Sequence, residues 1–296
     1  MARWPDVVAK YAIVRLKRIG VRFQNTKINI YNRPRSIQER QARMHAPSSA
    51  VVIDIAILKA ACSECSLRDL CVPLGLSVED MRALEGTVKT HRKLSKGDFL
   101  YRVGDPFRSL FAIRTGSTKT CEIAADGGVQ ITGFHLPGEL LGIDAISSEK
   151  HPCDVVALES SEICELPFSK LEALARELPG LQHQLFRIMS REIVEEEVQL
   201  LMLGRMKAEE RLAVFLVNFS KRYQRLGHSP NDLRLPMSRQ DLGDYLGLAL
   251  ETVSRLFSRF QEENLISVQG RSVKLLNVEA LKDVTKLAIA NHRVRV

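Results

Sequence analysis

The chain has 296 residues, of which 45% are apolar, and a formal net charge of +8. This length exceeds one typical domain and is sufficient for two packed cores. No run approaches the roughly 18 apolar residues of a membrane span, and the N-terminus lacks the apolar segment and cleavage site of a secretion signal. These features exclude a membrane-spanning chain, and we expect the protein to be cytoplasmic.

The positive charge is concentrated at the two ends of the chain. Residues 1–43 contain 11 Lys and Arg against 2 Asp and Glu, and residues 205–296 contain 16 against 10, whereas residues 44–204 contain 16 against 23. A basic C-terminal third is typical of nucleic-acid binding. We interpret residues 1–43 as a basic, disordered extension, with Met44 as an alternative start of the protein.

The run CSECSLRDLC carries Cys62, Cys65 and Cys71 in a Cys-x2-Cys-x5-Cys pattern. A Cys-x2-Cys pair places two thiolates on one turn, within reach of one metal centre, as in zinc and iron–sulfur sites. Six cysteines in a chain this long are too few for a disulfide framework. A metal centre needs a fourth ligand, and a zinc staple or unligated thiols are also open at this point. Spacing alone does not choose among the three remaining cysteines: Cys121, Cys153 and Cys164.

Residues 94–166 contain turn signals about every ten residues, with alternating apolar runs such as FLYRV and LFAIR between them. This pattern predicts an antiparallel, jelly-roll-like β-roll, and we expect residues 44–180 to form a sensor domain that combines the cysteine run with the roll. His135 and His151 stand apart from any nucleophile or carboxylate pair, so we interpret them as surface or packing residues. Nothing in the chain indicates an enzyme.

Residues 181–204 predict one long helix with an apolar stripe. The stripe has the alternating spacing of three and four residues that is typical of a helix paired with a second copy. The same pattern also describes an amphipathic helix packed within one domain. In a symmetric parallel pair Glu196 would face its own copy, so we expect a marginal dimer. The predicted dimer seam comprises Phe186, Met189, Ile193, Glu196, Leu200 and Leu203.

Residues 205–296 predict a winged helix-turn-helix DNA-binding domain. An amphipathic helix over 208–223 is followed by the polar loop LGHSPND. Ser238 and Asp241 have the spacing of a capping box, and a glycine turn at 246–248 separates that short helix from a second one over 250–263. Residues 265–276 predict a two-stranded wing that turns at Gly270.

The second helix of this motif has two different faces. Val253, Leu256, Phe257 and Phe260 share an apolar face. The opposite face carries side chains that can contact DNA bases and phosphates, in the order Glu251, Ser254, Arg255 and Ser258. The alternative is an ordinary solvated helix with a salt bridge between Glu251 and Arg255, but the helix-turn-helix and the basic charge favour DNA.

From about residue 60 to 290 the chain resembles the FNR branch of the CRP/FNR transcription regulators. The resemblance is carried by the helix of residues 181–204 and by the segments CSECSLRDLC, ITGFHLPGELLGIDAI, AEERLAVFLVNFS and YLGLALETVSRLF. It implies an α+β fold with an N-terminal β-roll, a long dimerisation helix and a C-terminal winged helix-turn-helix.

The resemblance also implies a cofactor. In that family, three clustered cysteines and a distant one before an E-[IL]-P-F sequence hold an oxygen-labile [4Fe-4S] cluster. Here Cys164 precedes ELPF, which leaves Cys121 and Cys153 outside the site. The implied ligands are Cys62, Cys65, Cys71 and Cys164.

Partners follow from the same resemblance. The family's E-x-x-S-R pattern is present as Glu251, Ser254 and Arg255, which implies a homodimer on double-stranded DNA with an inverted repeat like TTGAT-N4-ATCAA. Family members also contact RNA polymerase, and the turn over 125–128 is a possible polymerase-facing loop. The cyclic-nucleotide branch has an Arg-Ser or Arg-Thr pair where this chain has HPCD at 151–154, so we expect no cyclic nucleotide, because its phosphate would be unpaired. The alternative function is a zinc- or thiol-redox-dependent regulator of the same family.

Overall fold

A computed structural model describes residue 62 and residues 65–67, 71–73, 75–88, 90–123 and 127–284. All of them belong to one compact unit, Ala60–Val296. The predicted extension over residues 1–43 lies outside the described residues, as do positions 125 and 126 of the predicted polymerase-facing turn. None of the helices in the described part of the chain is long and apolar enough to cross a membrane.

Eight strands form the predicted roll. They are β1 (Thr90–Leu94), β2 (Phe99–Tyr101), β3 (Ser109–Thr115), β4 (Thr118–Ile123), β5 (Val129–His135), β6 (Leu140–Leu141), β7 (Asp154–Ala157) and β8 (Ser161–Pro167). All pairings are antiparallel, in two four-stranded sheets of order β1-β8-β3-β6 and β2-β7-β4-β5. The roll inferred from turn spacing and alternating apolar residues is therefore confirmed.

Strand β3 shows how the first sheet is covered on both faces. Successive side chains of a strand point to opposite faces, and here both sets are buried. Phe111 and Ile113 pack inside the roll, whereas Leu110 and Ala112 pack outward in a core that includes Leu171. Helices α1 (Val78–Glu85), α2 (Phe168–Glu177) and the start of α3 (Pro179–Arg205) lie on this outer side.

The long helix α3 begins at Pro179, a residue suited to the first turn because its missing N–H would be unpaired there in any case. It contains the whole of the predicted span 181–204 and ends one residue later. Its N-terminal buried residues, Leu181 and Leu185, pack on the outer core of the roll, whereas Met202 packs in the C-terminal core. The helix thus connects the roll to the helix-turn-helix.

The C-terminal elements are helices and a small sheet. They are α4 (Ala208–Arg225), β9 (Asp232–Arg234), α5 (Arg239–Leu246), α6 (Leu250–Glu262), β10 (Ile266–Gln269), β11 (Ser272–Leu275) and α7 (Val278–Val284). The predicted two-stranded wing was incomplete, because the sheet has three strands in the order β10-β11-β9. Strand β9 has only three residues, too few for a visible alternation of polar and apolar side chains.

The roll packs directly against the helix-turn-helix. Ile131 and Phe134 of β5 belong to the same apolar core as Phe215 of α4 and Leu242 of α5. Polar contacts surround this core: Lys119 Nζ donates to Asp241 Oδ1 over 2.6 Å, Gln130 Nε2 donates to Asp244 O over 2.5 Å, and Arg222 forms a two-pronged ion pair with Glu139. The roll and the helix-turn-helix therefore share one interface.

Candidate functional site

The six cysteines fall into two groups in the structure. All six thiols are free, and Cys121 and Cys153 are buried whereas the other four are half-buried. Burial above all raises the pKa of Cys71 and of Cys164, and in each case the charges of neighbouring cysteines from the set Cys62, Cys65, Cys71 and Cys164 raise it further. The predicted ligands therefore lie close enough for the charge of one thiolate to raise the pKa of another.

Strand β8 fixes the position of Cys164. This residue lies directly opposite His91 of β1 on one side and Ala112 of β3 on the other. Its side chain therefore projects from the outer face of the sheet, where it packs against the same core as Cys71. Gln184 of α3 donates a 3.4 Å hydrogen bond from Nε2 to the carbonyl oxygen of Cys71, so the long helix contacts the cysteine segment.

Burial controls the charge of these thiols. Burial is the largest cause that raises the pKa of Cys62 to about 11 and the pKa values of Cys71 and Cys164 to about 12. For Cys62 the Glu85 carboxylate also raises the pKa, and Arg114 lowers it. Without a metal these thiols stay protonated at neutral pH, and a metal would have to displace their protons.

The described residues provide suitable ligands for a metal centre but do not form a complete site. Among them, no three His, Cys, Asp or Glu side chains are close enough to hold a metal ion. The donor set is nevertheless chemically suitable, because four half-buried cysteines supply the thiolates that both iron–sulfur clusters and structural zinc use.

The other two cysteines project to opposite sides of the second sheet: Cys121 lies in β4, and Cys153 immediately precedes β7. Cys121 is directly opposite Asp154, so both project to the same face, and Cys153 projects to the other. Cys121 belongs to the core shared with the helix-turn-helix, whereas Cys153 lies inside the roll. The Cys153 thiol donates to Asp144 Oδ2 over 3.4 Å, and burial raises its pKa. The two cannot form a disulfide without rebuilding the strand.

Within the segment 151–154, His151 and Cys153 pack inside the roll. His151 is 3% exposed, and its ring stacks on Tyr101 with centroids 3.6 Å apart. It is a packing residue, as predicted. His135 is likewise held within the structure, 2.9 Å from Thr120 Oγ1, and burial lowers its pKa to about 4. The expectation that no cyclic nucleotide binds here stays a prediction.

The helix-turn-helix has the predicted geometry. Ser238 and Asp241 form a capping box at the start of α5, and Gly247 ends that helix with φ +63°. The turn is tight: a Cβ at Gly243 would lie 2.5 Å from the carbonyl oxygen of Leu248, so glycine is required there. Helix α6 follows this turn and packs against α5.

Helix α6 presents the predicted reading face to solvent. Its buried residues are Val253, Leu256, Phe257 and Phe260. Glu251, Ser254 and Arg255 are exposed on the other side. No salt bridge joins the Glu251 and Arg255 side chains in this part of the structure; instead Arg255 Nε donates to the Glu251 carbonyl oxygen over 3.4 Å. Most of the guanidinium therefore remains exposed to solvent.

The predicted dimer seam is a stripe on α3 that the chain itself covers only in part. Phe186, Ile193 and Leu200 are 47%, 44% and 62% exposed, one helical repeat of seven residues apart. Met189 and Leu203 are half-buried, and Glu196 is exposed. Large exposed apolar side chains in such a row are typical of a helix that pairs with another helix.

Sequence reasoning missed a residue beside the candidate metal centre. His91 Nδ1 lies 3.5 Å from Cys164 Sγ and 3.9 Å from Glu162 Oε1. Burial and the charge of Arg114 lower the pKa of His91, while Glu162 raises it. No motif marks this histidine, because its position depends on the register between β1 and β8, strands that are far apart in the sequence.

Comparison with known proteins gives consistent matches along the described chain. The Crp-like helix-turn-helix domain matches residues 210–284, and the cyclic nucleotide-binding domain matches residues 91–177. The transcriptional activator protein Anr of Pseudomonas aeruginosa is 50% identical over 222 residues, 75% of this chain and 91% of the relative. The fumarate and nitrate reduction regulatory protein of Escherichia coli is 43% identical, over 74% of this chain and 88% of the relative. The solved structure of FixK2 from Bradyrhizobium japonicum superposes with a TM-score of 0.61 and 31% identity, covering 66% of this chain and 96% of that structure.

Proposed function

Because this chain belongs to the CRP/FNR family of DNA-binding transcription regulators, we propose that it is an oxygen-responsive regulator that acts in the cytoplasm as a homodimer. The relatives are regulators rather than enzymes. The observation that carries the proposal is the separation of the four half-buried cysteines, of which Cys71 and Cys164 pack against one core, from the two buried ones.

The first group would hold a [4Fe-4S] cluster through Cys62, Cys65, Cys71 and Cys164. When bound, such a cluster supplies sensitivity to oxygen, because iron–sulfur bonds are readily oxidised. The protein's own contribution is to desolvate the four thiols, which limits their contact with water, and to anchor one ligand, Cys164, in the rigid centre of a sheet. The other three ligands would come from the cysteine run over residues 62–71.

Helix α3 supplies a route from the cysteines to the dimer seam. Gln184 bonds the Cys71 carbonyl, and the seam begins two residues later at Phe186. A change in the cysteine segment therefore acts on the same rigid helix that carries Ile193 and Glu196. We expect cluster assembly to favour pairing of two α3 helices, since the pairing is marginal without it.

The paired chains would present two α6 helices to an inverted repeat like TTGAT-N4-ATCAA. In each half-site Arg255 suits guanine, Glu251 suits a cytosine amino group, and Ser254 suits either a base or a phosphate. The turn over 125–128 would contact RNA polymerase. Its support is exposure: Ile123 and Val129, which flank it, are 67% and 45% exposed.

A zinc-dependent or thiol-redox regulator is the competing function. The raised pKa values of Cys62, Cys71 and Cys164 weigh against redox signalling by the free thiols, because the protonated thiol is a poor nucleophile. Zinc would use the same four sulfurs, so geometry does not separate it from iron. The colour of the purified protein distinguishes the two metals, because zinc sites are colourless and iron–sulfur proteins are brown.

Oxygen-controlled DNA binding tests the proposed function. Wild-type protein prepared without oxygen should bind a duplex that contains the inverted repeat and should release it after exposure to air. A duplex with scrambled half-sites is the control for nonspecific attraction to the basic C-terminal third. Equal binding to the inverted repeat before and after air would contradict an oxygen response.

A further inference from the structure

His91 is the one histidine whose ring contacts a candidate metal ligand among the described residues. The antiparallel register of β1 and β8 places it directly opposite Cys164, so the two side chains share a face of the sheet. Its Nδ1 lies 3.5 Å from Cys164 Sγ, within hydrogen-bonding distance for sulfur. On the other flank of Cys164 stands Ala112, which has no polar group to offer.

The proton of this contact can be assigned from its surroundings. A metal-bound cysteine carries no proton, so only the imidazole can donate in the loaded site. Glu162 Oε1 lies 3.9 Å from the same Nδ1, and a nearby carboxylate favours the tautomer with the proton on the nitrogen that faces it. Both neighbours of Nδ1 are therefore acceptors, and Nδ1–H is the donor to sulfur.

Resting on the proposed function, we propose that His91 is a positioning residue whose Nδ1–H donates a hydrogen bond to the Cys164 sulfur and makes the iron–sulfur site more resistant to air. Hydrogen bonds to ligand sulfurs help to set the reduction potential of such sites, because they draw electron density from the sulfur. A site deprived of the bond is easier to oxidise. Mutation of a partner of this kind typically costs about 10- to 100-fold in metal affinity or activity.

Two substitutions separate the hydrogen bond from the shape of the side chain. His91→Leu fills similar space without a donor, whereas His91→Asn places an amide nitrogen near the position of Nδ1. Lys93→Gln is the matched control. Lys93 is exposed on the same strand and the same face as His91, but the residue directly opposite it on β8 is Glu162 rather than Cys164. Thermal melting of the cluster-free proteins reports whether any variant has lost its fold.

The experiment measures the visible absorbance of oxygen-free preparations after mixing with air-saturated buffer, together with the iron–thiolate stretching bands in resonance Raman spectra. His91→Leu should bleach roughly ten-fold faster than wild type, with stretching bands at higher frequency because the iron–thiolate bond strengthens. His91→Asn and Lys93→Gln should resemble wild type. If His91→Leu matches wild type in both readouts, or if Leu and Asn are equally impaired, the hydrogen-bond role is wrong. A wild-type chain without any iron–sulfur absorbance would overturn the proposed function, and this proposal with it.

Discussion

Lys119 and Asp241 join the β-roll to the helix-turn-helix through a 2.6 Å hydrogen bond between Nζ and Oδ1, although they are 122 positions apart in the sequence. Only 21% and 16% of these two side chains are exposed. The same aspartate accepts hydrogen bonds from the backbone N–H and the hydroxyl of Ser238 at the start of α5. One carboxylate therefore caps α5 and bonds it to the β-roll.

Removal of this tie should cost stability. Lys119→Met leaves the Asp241 cap in place but deletes the ion pair, so we expect the free energy of unfolding to fall by about 1 to 2 kcal/mol. Urea denaturation of the aerobic protein is the measurement, and Lys170→Met, at an exposed position of α2, is the control. If both variants unfold alike, the contact contributes nothing to the junction.

The raised pKa of the Glu192 carboxyl should make the stability of the fold depend on pH. Burial above all, followed by the charges of Glu195, Glu139 and Glu196 and opposed by Arg222, raises the pKa of this carboxyl to about 8 from its ordinary value of 4.5. Between these two values the folded chain holds a proton that the unfolded chain releases. The free energy of unfolding should therefore fall as pH rises across this window.

Glu192→Gln removes this titration. The variant should match wild type near pH 4.5 and become progressively more stable than wild type towards about pH 8. Thermal melts of dilute aerobic protein across that range are the test, with Glu197→Gln, exposed on the same helix, as the control. A stability difference that does not change with pH would show that Glu192 ionises normally in the folded chain.

The reading face leads to a prediction about sequence preference. Arg255 is exposed near the start of α6, beside Glu251. Arg255→Gln should cost about 1 to 3 kcal/mol of binding free energy per half-site at one base pair. The control is Arg259→Gln, because Arg259 is engaged with Glu209 and Glu263. The measurement is binding of wild type and Arg255→Gln to duplexes mutated at single positions. If the substitution weakened binding to every duplex equally, Arg255 would be a phosphate contact instead.

The dimer seam should respond to removal of its central charge. In a parallel pair of α3 helices, the two Glu196 carboxylates would approach each other between Ile193 and Leu200, which pairing would bury. Like charges at low dielectric oppose such an association. We expect Glu196→Ala to dimerise and bind DNA in air, and Ile193→Glu to stay monomeric under all conditions. Sedimentation of the aerobic proteins decides this, since a monomeric Glu196→Ala would rule out charge repulsion as the restraint.

The sequence predicts those parts of the molecule in which neighbouring residues determine the structure. The faces of α6 follow from the helical repeat, and the cap of α5 follows from Ser238 and Asp241. Contacts that depend on register or on packing between distant elements have no such signal. The contact of His91 with Cys164 needs the pairing of β1 with β8, and the Lys119 ion pair needs the docking of two domains. The third wing strand was missed because three residues show no period.

Iron and acid-labile sulfide analysis of anaerobically purified protein tests the central claim most directly. If Cys62, Cys65, Cys71 and Cys164 hold a [4Fe-4S] cluster, wild type should be brown and contain about four irons and about four sulfides per chain. Cys164→Ser should lose both, whereas Cys121→Ser and Cys153→Ser should keep them, because these two thiols lie elsewhere in the roll. A colourless wild type that contains zinc, or a Cys164→Ser variant with its full iron and sulfide, would contradict the account.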